Sequence, residues 1–537
     1  MNDLPVDVLH WLVALSPIVL LLVLLTVLKW KAPQAGPVGV FLGALTAVIF
    51  FRTPIDALAA AVGAGVWDAV FILFVVWPAL LLYRASDSAG AFAALRRGIQ
   101  RFSRNELFLV LGFGWVFASF LQGIAGFGTP IAVVAPLLLA LGVKPVLAVV
   151  IPLIGHAWAN MFGTLAVGWL ATLQVVDLEN EQATAVQAAI LLWIPNIAAG
   201  FTIAWLFGRW SAVKHSIPFV LIISLIQGGG QVGVMFFSPI LSTFIPATLA
   251  LVALYPLSRW SRYSERAEQI EDRPAMADRS DRDEDDEPEP AMSFAWSLVP
   301  YIALTISAVA VLAIPPVSAA LETVEVGLPF GDTSTGYGVE NEPGDPYSPF
   351  TPLTHPGVFL LFATLVAWIA YRAKGFYRTW AERSGEQKIL ASTASDAIPS
   401  SIAIVSFLVL AKILDYSGQV EVLALGIAAV APAVVYAFLA NFVGVIGAFM
   451  TSSNTASNVL FSQLQETVAE TEGLSESAII AAQSTGGAVG NSIAPANVVL
   501  GTTTAGIVGQ EGAVLRKTLP WAAAVSVAVG AVTILLA

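Results

Sequence analysis

Long apolar stretches separated by short polar segments fill almost the whole chain. The first stretch, WLVALSPIVLLLVLLTVL (residues 11–28), is long enough to cross a bilayer as a helix. It has no basic flank before it and no small-residue cleavage motif after it, so we interpret it as a first membrane span and not as a signal peptide. The number of such stretches predicts about 12–14 membrane segments. The fold class that we expect is an all-α polytopic membrane protein.

The composition supports a membrane protein and narrows its function. Hydrophobic residues make up 57% of the 537 residues and charged residues only 12%, whereas soluble domains carry about 25% charged residues. The chain has no cysteine, which excludes disulfides, thiolate metal sites and cysteine nucleophiles. It contains no His-Glu-x-x-His, Gly-x-Ser-x-Gly or Walker A motif. We therefore expect no enzyme, no ATP-driven pump, no nucleic-acid partner and no cofactor.

The charged residues between the apolar stretches predict an orientation in the cell membrane. Residues 84–104 and 372–388 each carry several arginines or lysines, and basic loops favour the cytoplasmic side. Residues 315–353 carry acidic side chains and no Lys or Arg, so we expect them outside. Arg52, on the expected outer side, does not fit this pattern.

An acidic segment divides the chain into two membrane halves. EDRPAMADRSDRDEDDEPEP (residues 271–290) contains almost no large apolar side chain, so we expect it to be disordered. The expected organisation is an N-terminal half at 1–258, an acidic cytoplasmic linker at 259–293 and a C-terminal half at 294–537.

Each half contains two polar breaks within apolar sequence. In the first half, SFLQGIAGFGTPIAVVAP (119–136) is interrupted by glycines and a proline, and in the second half NFVGVIGAFMTSSNTASN (441–458) ends in hydroxyl and amide side chains. GVKPVLAVVIPLIGHAWANMFGT (142–164) follows in the first half. Its counterpart in the second half is GLSESAIIAAQSTGGAVGNSIAP (473–495).

The breaks align as two related elements of opposite direction. The alignment places Asn160 opposite Asn491 and defines repeats at about 106–175 and 422–510. The first repeat follows a basic loop and the second follows an acid-only segment, so the two are expected to start from opposite sides. Secondary transporters are commonly built from such inverted repeats, with the site at mid-membrane where paired helices are broken. The alternative is that the small and hydroxyl residues serve helix packing alone.

Several motifs resemble the L-lactate permease family. They are FLQGIAGFGTP, the preceding LRRGIQRFSRNELFLVLGF, MTSSNTASNVLFSQLQ and AAQSTGGAVGNSIAPANVVLGTTTAGIVGQEG. Ser453-Asn454-Thr455 also resembles the Ser-Asn-Thr signature of carboxylate transporters in the wider ion-transporter superfamily. This resemblance implies re-entrant hairpins whose tips hold substrate and cation, in a transport domain that moves against a scaffold, as in an elevator.

The resemblance implies a symporter that imports L-lactate, and related 2-hydroxy monocarboxylates such as glycolate, by alternating access. Family members usually carry an acid where Gln122 stands, an aspartate where Asn454 stands and a lysine where Asn491 stands. All three are neutral amides here. Na⁺ coupling is therefore an alternative to H⁺ coupling, since amide and carbonyl oxygens suit a hard cation. Another small organic anion (a dicarboxylate or a gluconate-like acid), or a channel, stays open, as does the choice between monomer and homodimer.

An anion at mid-membrane needs hydrogen-bond donors, and broken helices offer main-chain N–H groups beside their polar side chains. No arginine lies within the breaks, so we expect recognition by neutral dipoles. The expected substrate-binding residues are Gly126, Gly128, Thr129, Ser452, Ser453, Asn454, Thr455, Asn458, Thr485 and Asn491. The expected ion-coupling residues are Gln122, His156, Asn160, Asn454 and Asn497.

Ionisable residues within apolar sequence form a separate group. His156 is either a buried histidine with satisfied hydrogen bonds or a proton relay or substrate donor. Asp68 is a similar candidate. Lys412 is expected near the outer interface, where it extends toward water or pairs with Asp415.

Overall fold

The structure, a computed structural model, is built almost entirely of α-helices, as the apolar pattern predicts. It describes residues 4–28, 30–100, 103–126, 128–265, 270, 272–277, 291–312, 314–342, 346–385, 388–507 and 509–537.

The apolar stretches of the first half form helices because a helix satisfies its own main-chain hydrogen bonds away from water. These helices are α1 (Val8–Leu22), α2 (Ala32–Phe50), α3 (Ile55–Asp87), α4 (Ala91–Gln100), α5 (Glu106–Leu111), α6 (Ala118–Ile124), α7 (Thr129–Ala140), α8 (Pro145–Gly155), α9 (Gly163–Thr172), α10 (Glu181–Ser224), α11 (Gly230–Met235), α12 (Phe244–Arg259) and α13 (Ser261–Ser264). Wider π-helical turns at Val23–Val27, Gly112–Phe117 and Leu225–Gly229 extend α1, α5 and α10.

The second half is helical in the same way. Its helices are α14 (Phe294–Ser297), α15 (Val299–Leu312), α16 (Pro315–Leu321), α17 (Pro356–Ala373), α18 (Phe376–Ser384), α19 (Ile389–Tyr416), α20 (Gln419–Ala428), α21 (Ala433–Thr451), α22 (Asn454–Glu472), α23 (Glu476–Gly490), α24 (Pro495–Thr504) and α25 (Glu511–Leu536). Several helices start at residues that accept a hydrogen bond from the first turn, among them Asn105, Asn180, Ser453 and Ser475.

The described residues form ten helices that are long and apolar enough to cross a membrane, or eleven with the bent pair Pro145–Ala159 and Gly163–Thr172. One of the ten, Glu181–Met235, is bent at Gly208 and Arg209, whose backbone is not helical. Shorter apolar helices (Thr129–Ala140, Val299–Ala308 and Gln419–Ala428) account for further apolar stretches of the sequence. The expected 12–14 segments thus include pieces too short to span, because the chain breaks at glycine and proline.

The helices pack in two groups. In one group α19 lies along α3 and α2, while α17 packs against α3 and α15. In the other group α23 contacts α21, α22 and α10, and α25 packs against α21 and α23. The groups meet where α19 and α20 contact α22 and where α3 contacts α9. All the polar breaks belong to the second group.

The acidic segment before α17 is not a featureless loop. It forms two short antiparallel pairs, β1 (Val326–Leu328) with β4 (Tyr347–Phe350) and β2 (Thr333–Ser334) with β3 (Glu340–Asn341). The Tyr347 hydroxyl lies 2.9 Å from Asp68 Oδ2, and the Arg52 guanidinium lies over the Tyr337 ring at 4.7 Å. Arg52, which did not fit the charge pattern, thus has an aromatic partner that the charge count could not predict.

The acidic linker is described only in part, and the expectation of disorder for it stays a prediction. Most of residues 271–290 lies outside the described residues, but residues 272–277 are packed against the first half. Lys144 donates its main-chain N–H to Ala275 O at 2.8 Å, and Ala277 donates to Gly142 O at 2.8 Å. Arg273 pairs with Glu106 at 2.7 Å. These strand-like hydrogen bonds and one ion pair hold a segment whose composition alone predicts no fold.

Candidate functional site

The first break of the N-terminal half separates α6 from α7. Ala125 is extended and Gly128 has φ 86°, a left-handed conformation that glycine adopts without a steric penalty. Pro130 then lies in the first turn of α7, where its fixed φ suits a helix start. Because of the break, the main-chain N–H of Gly126 has no acceptor within a helix. It donates instead to Thr164 Oγ1 at 2.8 Å.

The corresponding break of the C-terminal half separates α21 from α22. Ser452 is left-handed with φ 57°, and Ser453 follows as the residue that caps α22. The Ser453 hydroxyl accepts the N–H of Ala456 at 3.2 Å. Asn454 and Thr455 are therefore the first two residues of a helix, with its unpaired N–H groups beside them.

A second break in each half brings three asparagines together. In the first half it lies between α8 and α9, and in the second half between α23 and α24. Asn491 donates its side-chain N–H to Asn160 Oδ1 at 2.8 Å, and Asn497 donates to Asn491 O at 3.0 Å. Asn160 in turn donates to Ala157 O at 2.8 Å. At this point the two halves are joined by a hydrogen bond between two neutral amides, Asn491 and Asn160.

The four breaks surround one cavity of about 450 Å³, including the space at its open side. Its described lining residues are Gln122, Gly126, Gly128, Asn160, Gly163, Thr164, Val167, Ser452, Ser453, Asn454, Thr455, Asn491 and Asn497. None of these is ionisable, so the cavity offers hydroxyl, amide and main-chain dipoles only.

Asn454 is the most unusual residue of the cavity. Its side chain is 3% exposed, yet neither its oxygen nor its nitrogen has a hydrogen-bond partner among the described residues. A buried amide without partners costs about 1–3 kcal/mol, so this donor and acceptor are suited to hydrogen-bond a polar ligand in the cavity. Gly487 makes room for this side chain, because an added Cβ there would overlap Asn454 Oδ1.

Further oxygens without partners lie in the neighbouring helices. Asn458 Oδ1, Ser484 Oγ and Thr485 Oγ1 are buried and accept no hydrogen bond from the described residues. Asn458 uses its amide N–H on Met161 Sδ at 3.2 Å, which leaves the oxygen alone. These atoms provide neutral oxygen ligands of the type that hard cations prefer.

Ten of the fourteen residues expected at the site line the cavity. The other four are Thr129, His156, Asn458 and Thr485. Thr129 starts α7 and is buried, while Asn458 and Thr485 lie buried in α22 and α23. The His156 ring contacts Pro152 O through Nδ1 at 2.6 Å, the arrangement of a buried histidine held by its own helix.

Three lining residues, Gly163, Thr164 and Val167, were not predicted from the sequence. They follow Asn160 in the segment MFGTLAV. The Gly-Thr pair next to a predicted break is the sequence feature that could have indicated them. Gly163 is small for a steric reason, because an added Cβ would lie 2.7 Å from the main-chain oxygen of Gln122.

Comparisons with known proteins give a consistent result over the full length. The family model described as L-lactate permease matches residues 10–537. The L-lactate permease of Halalkalibacterium halodurans is 28% identical, over 95% of this chain and 93% of that protein. The glycolate permease GlcA of Escherichia coli is 27% identical, over 98% of this chain and 95% of that protein. A crystal structure of the YdaH transporter of Alcanivorax borkumensis covers 88% of this chain and 86% of its own, at 15% identity and a TM-score of 0.40.

Proposed function

The chain belongs to the L-lactate permease family, and from this premise we propose that it is a cation-coupled symporter importing L-lactate and related 2-hydroxy monocarboxylates such as glycolate. As a member of that family it is a multi-pass permease of the plasma membrane and not an enzyme. The names of its relatives, L-lactate permease and glycolate permease, support the substrate class.

The observation that carries the proposal is the unpaired Asn454 amide in a cavity of neutral dipoles. A 2-hydroxy acid offers a carboxylate that accepts hydrogen bonds and a hydroxyl that can donate one. The Asn454 N–H suits the carboxylate, and its oxygen suits the hydroxyl. A single residue can thus engage both groups of the same molecule.

Helix α22 adds an electrostatic contribution. It begins at Asn454 and runs to Glu472, so its free N–H groups and the positive end of its dipole lie at the cavity. Such helix starts bind anions without a charged side chain. Binding by dipoles is weaker than binding by an arginine, which suits a transporter that must release its substrate.

The neutral lining favours an anion with a single negative charge. A dicarboxylate would bring a second charge to a lining with no Lys or Arg to pair with it, and a buried unpaired charge is costly. We therefore place monocarboxylates ahead of dicarboxylates.

For the coupling ion, the neutral lining favours Na⁺ over H⁺. Among the described lining residues, none has a side chain that carries a proton near neutral pH. The unpaired oxygens of Asn454, Asn458, Ser484 and Thr485 fit the ligands of a small hard cation. These residues would hold the ion next to the substrate and offset its negative charge.

The two groups of helices suit transport by alternating access. We infer that the α2, α3, α17 and α19 group is a scaffold, and that the second group carries the site in two inverted repeats, at about 106–175 and 422–510. The halves at 1–258 and 294–537 are joined by the linker at 259–293, with the basic loops in the cytoplasm.

The test is uptake of labelled L-lactate by purified protein in liposomes under a Na⁺ gradient or a pH gradient, imposed separately. We expect uptake under the Na⁺ gradient, with competition by unlabelled L-lactate and glycolate but not by a dicarboxylate. Uptake under the pH gradient alone would refute Na⁺ coupling. Equal uptake with both gradients collapsed would refute coupling altogether and favour a channel.

A further inference from the structure

Three consecutive residues next to the cavity have a left-handed backbone. Thr164, Leu165 and Ala166 have φ of 50°, 52° and 64°, and all three are buried. Residues with a Cβ atom rarely adopt this conformation, and then as single residues. A run of three is kept only where the surrounding contacts determine it, and such runs concentrate at functional sites.

The run fixes the position of one hydroxyl group. Ala166 donates its N–H to Phe162 O at 3.1 Å and Trp169 donates to Met161 O at 3.1 Å, so the chain turns tightly here. At the start of this turn, Thr164 faces the cavity and accepts the N–H of Gly126 at 2.8 Å. Thr164 therefore ties the second break of the first half to the first break.

The second half contains a matching contact with the roles exchanged. Ser452 is also left-handed and also lines the cavity. Its hydroxyl oxygen accepts the N–H of Ala496 at 3.2 Å, which ties the first break of this half to the second. In both halves, a left-handed residue joins the two breaks through a hydroxyl oxygen.

The hydroxyl groups of Thr164 and Ser452 can each make a further hydrogen bond. A Thr or Ser hydroxyl has one proton to donate and lone pairs to accept. Thr164 and Ser452 each use the oxygen to accept a main-chain N–H, and within the described residues neither donates to a protein acceptor. The proton of each hydroxyl is thus left for a ligand in the cavity.

We propose that Thr164 and Ser452 form a pair of hydroxyl clamps, one from each half, that hold the breaks together and donate to the substrate carboxylate. This proposal rests on the proposed function. It makes Thr164, which sequence reasoning did not select, a substrate-binding residue, and it gives Ser452 a defined role. Because each clamp joins two breaks, substrate binding stabilises the arrangement of both.

The test compares variants that differ in the hydroxyl alone. Thr164→Val removes the hydroxyl with little change of shape, Thr164→Ser retains it, and Ser452→Ala removes the second clamp. Thr172→Val is the matched control, because Thr172 is a fully buried threonine of the same helix whose hydroxyl bonds Gly168 O at 3.0 Å, away from the cavity. KM and Vmax for labelled L-lactate are measured in liposomes, and the unfolding temperature with and without L-lactate in detergent.

We expect Thr164→Val and Ser452→Ala each to raise KM by about tenfold, the effect of losing one good hydrogen bond to an anion. Thr164→Ser should stay within about twofold of wild type, and Thr172→Val should match wild type in KM. Unchanged KM in both Thr164→Val and Ser452→Ala would overturn the proposal. So would equal losses in Thr164→Val, Thr164→Ser and Thr172→Val, which would indicate packing alone.

The same series separates this proposal from the proposed function. A wild-type protein that takes up no L-lactate contradicts the function itself. In that case the clamps are tested with other anions. The unfolding temperatures of wild type and variants are measured with and without glycolate, pyruvate and dicarboxylates. If any of these anions stabilises wild type and Thr164→Val equally, the clamp is refuted. If Thr164→Val does not fold, the other two variants still decide the outcome. The proposal requires Thr164→Ser to bind the anion normally and Ser452→Ala to bind it weakly.

Discussion

Asn491 donates its side-chain N–H to the side-chain oxygen of Asn160 across 2.8 Å, although the two residues are 331 positions apart in the chain. The contact joins the second break of one half to the second break of the other, and both residues line the cavity. The site is therefore held together across the two halves by neutral amides.

The first prediction concerns this amide bridge. Asn491→Ala leaves the Asn160 oxygen buried without a donor, which costs about 1–3 kcal/mol, so we expect a lower unfolding temperature and slower uptake. Asn160→Ala should act similarly. The double variant should lose less than the sum of the single losses, because the two residues share one interaction. Strictly additive losses in thermal unfolding and uptake would show that the bridge does not couple the halves.

The second prediction concerns the charge at the tip of the second half. Asn454→Asp should bind lactate only when the new carboxyl is protonated, because its charged form repels the anion. Uptake at a fixed Na⁺ gradient should therefore fall as the pH rises, more steeply than in wild type. Asn454→Ala, which adds no titrating group, should transport poorly at every pH. A wild-type pH profile for Asn454→Asp would place the anion elsewhere.

The third prediction tests the close approach at the first half of the site. A Cβ at Gly163 would lie 2.7 Å from the main-chain oxygen of Gln122 and 3.0 Å from its Cγ. Gly163→Ala should therefore displace the break, with a cost of about 1–3 kcal/mol and a large loss of uptake. Gly233→Ala is the control, since a Cβ there meets no described atom within 4 Å. If the two variants take up L-lactate equally well, the tight packing at Gly163 has no functional role.

The fourth prediction concerns a buried ion pair outside the cavity. Lys412 Nζ lies 3.7 Å from Asp68 Oδ2, and Asp68 is completely buried. Lys412→Met leaves that carboxylate with the Tyr347 hydroxyl but without its cationic partner, which should cost about 3–5 kcal/mol of stability. Asp68→Asn in the same chain should recover most of the loss. The exposed pair Arg378–Glu382 is the control, since Arg378→Ala should cost less than about 1 kcal/mol.

Thermal unfolding of the four proteins in detergent decides this prediction. If Lys412→Met is as stable as Arg378→Ala, the buried pair contributes nothing. If Asp68→Asn does not rescue Lys412→Met, the loss comes from the missing lysine side chain and not from the unpaired charge.

The existence and position of the breaks could be predicted from the sequence because their causes are local. Gly128 provides a left-handed residue, Pro130 a helix start, and Ser453 a helix cap, and each of these residue types favours its conformation regardless of context. The all-helical membrane fold followed equally from apolar length, and the structure confirms it.

The direction in which each polar side chain points could not be predicted. Asn454 faces the cavity, while Asn458, one turn further along the same helix, is buried against Met161. Thr164 faces the cavity because of a left-handed run that the sequence Thr-Leu-Ala does not favour. These orientations depend on packing between helices that are far apart in the chain.

Contacts between residues far apart in the chain could not be predicted either. Lys412 was expected to reach water or to pair with Asp415, but it contacts Asp68 on another helix, and Tyr347 from the strand segment covers the pair. The composition of residues 272–277 does not predict that they pack against the first half through main-chain hydrogen bonds. Main-chain pairing of this kind is independent of side-chain type, so composition cannot reveal it.

The most direct measurement is the binding of labelled L-lactate to purified wild-type protein and to Asn454→Ala, side by side in the presence of Na⁺. A cavity that recognises the anion through the unpaired Asn454 amide predicts saturable binding by wild type that glycolate displaces. It also predicts affinity at least about tenfold weaker in Asn454→Ala, with an unfolding temperature in the absence of ligand that is no lower than that of wild type. Equal affinity in the two proteins would contradict the account, because the anion would then bind without the residue on which the proposed site is centred.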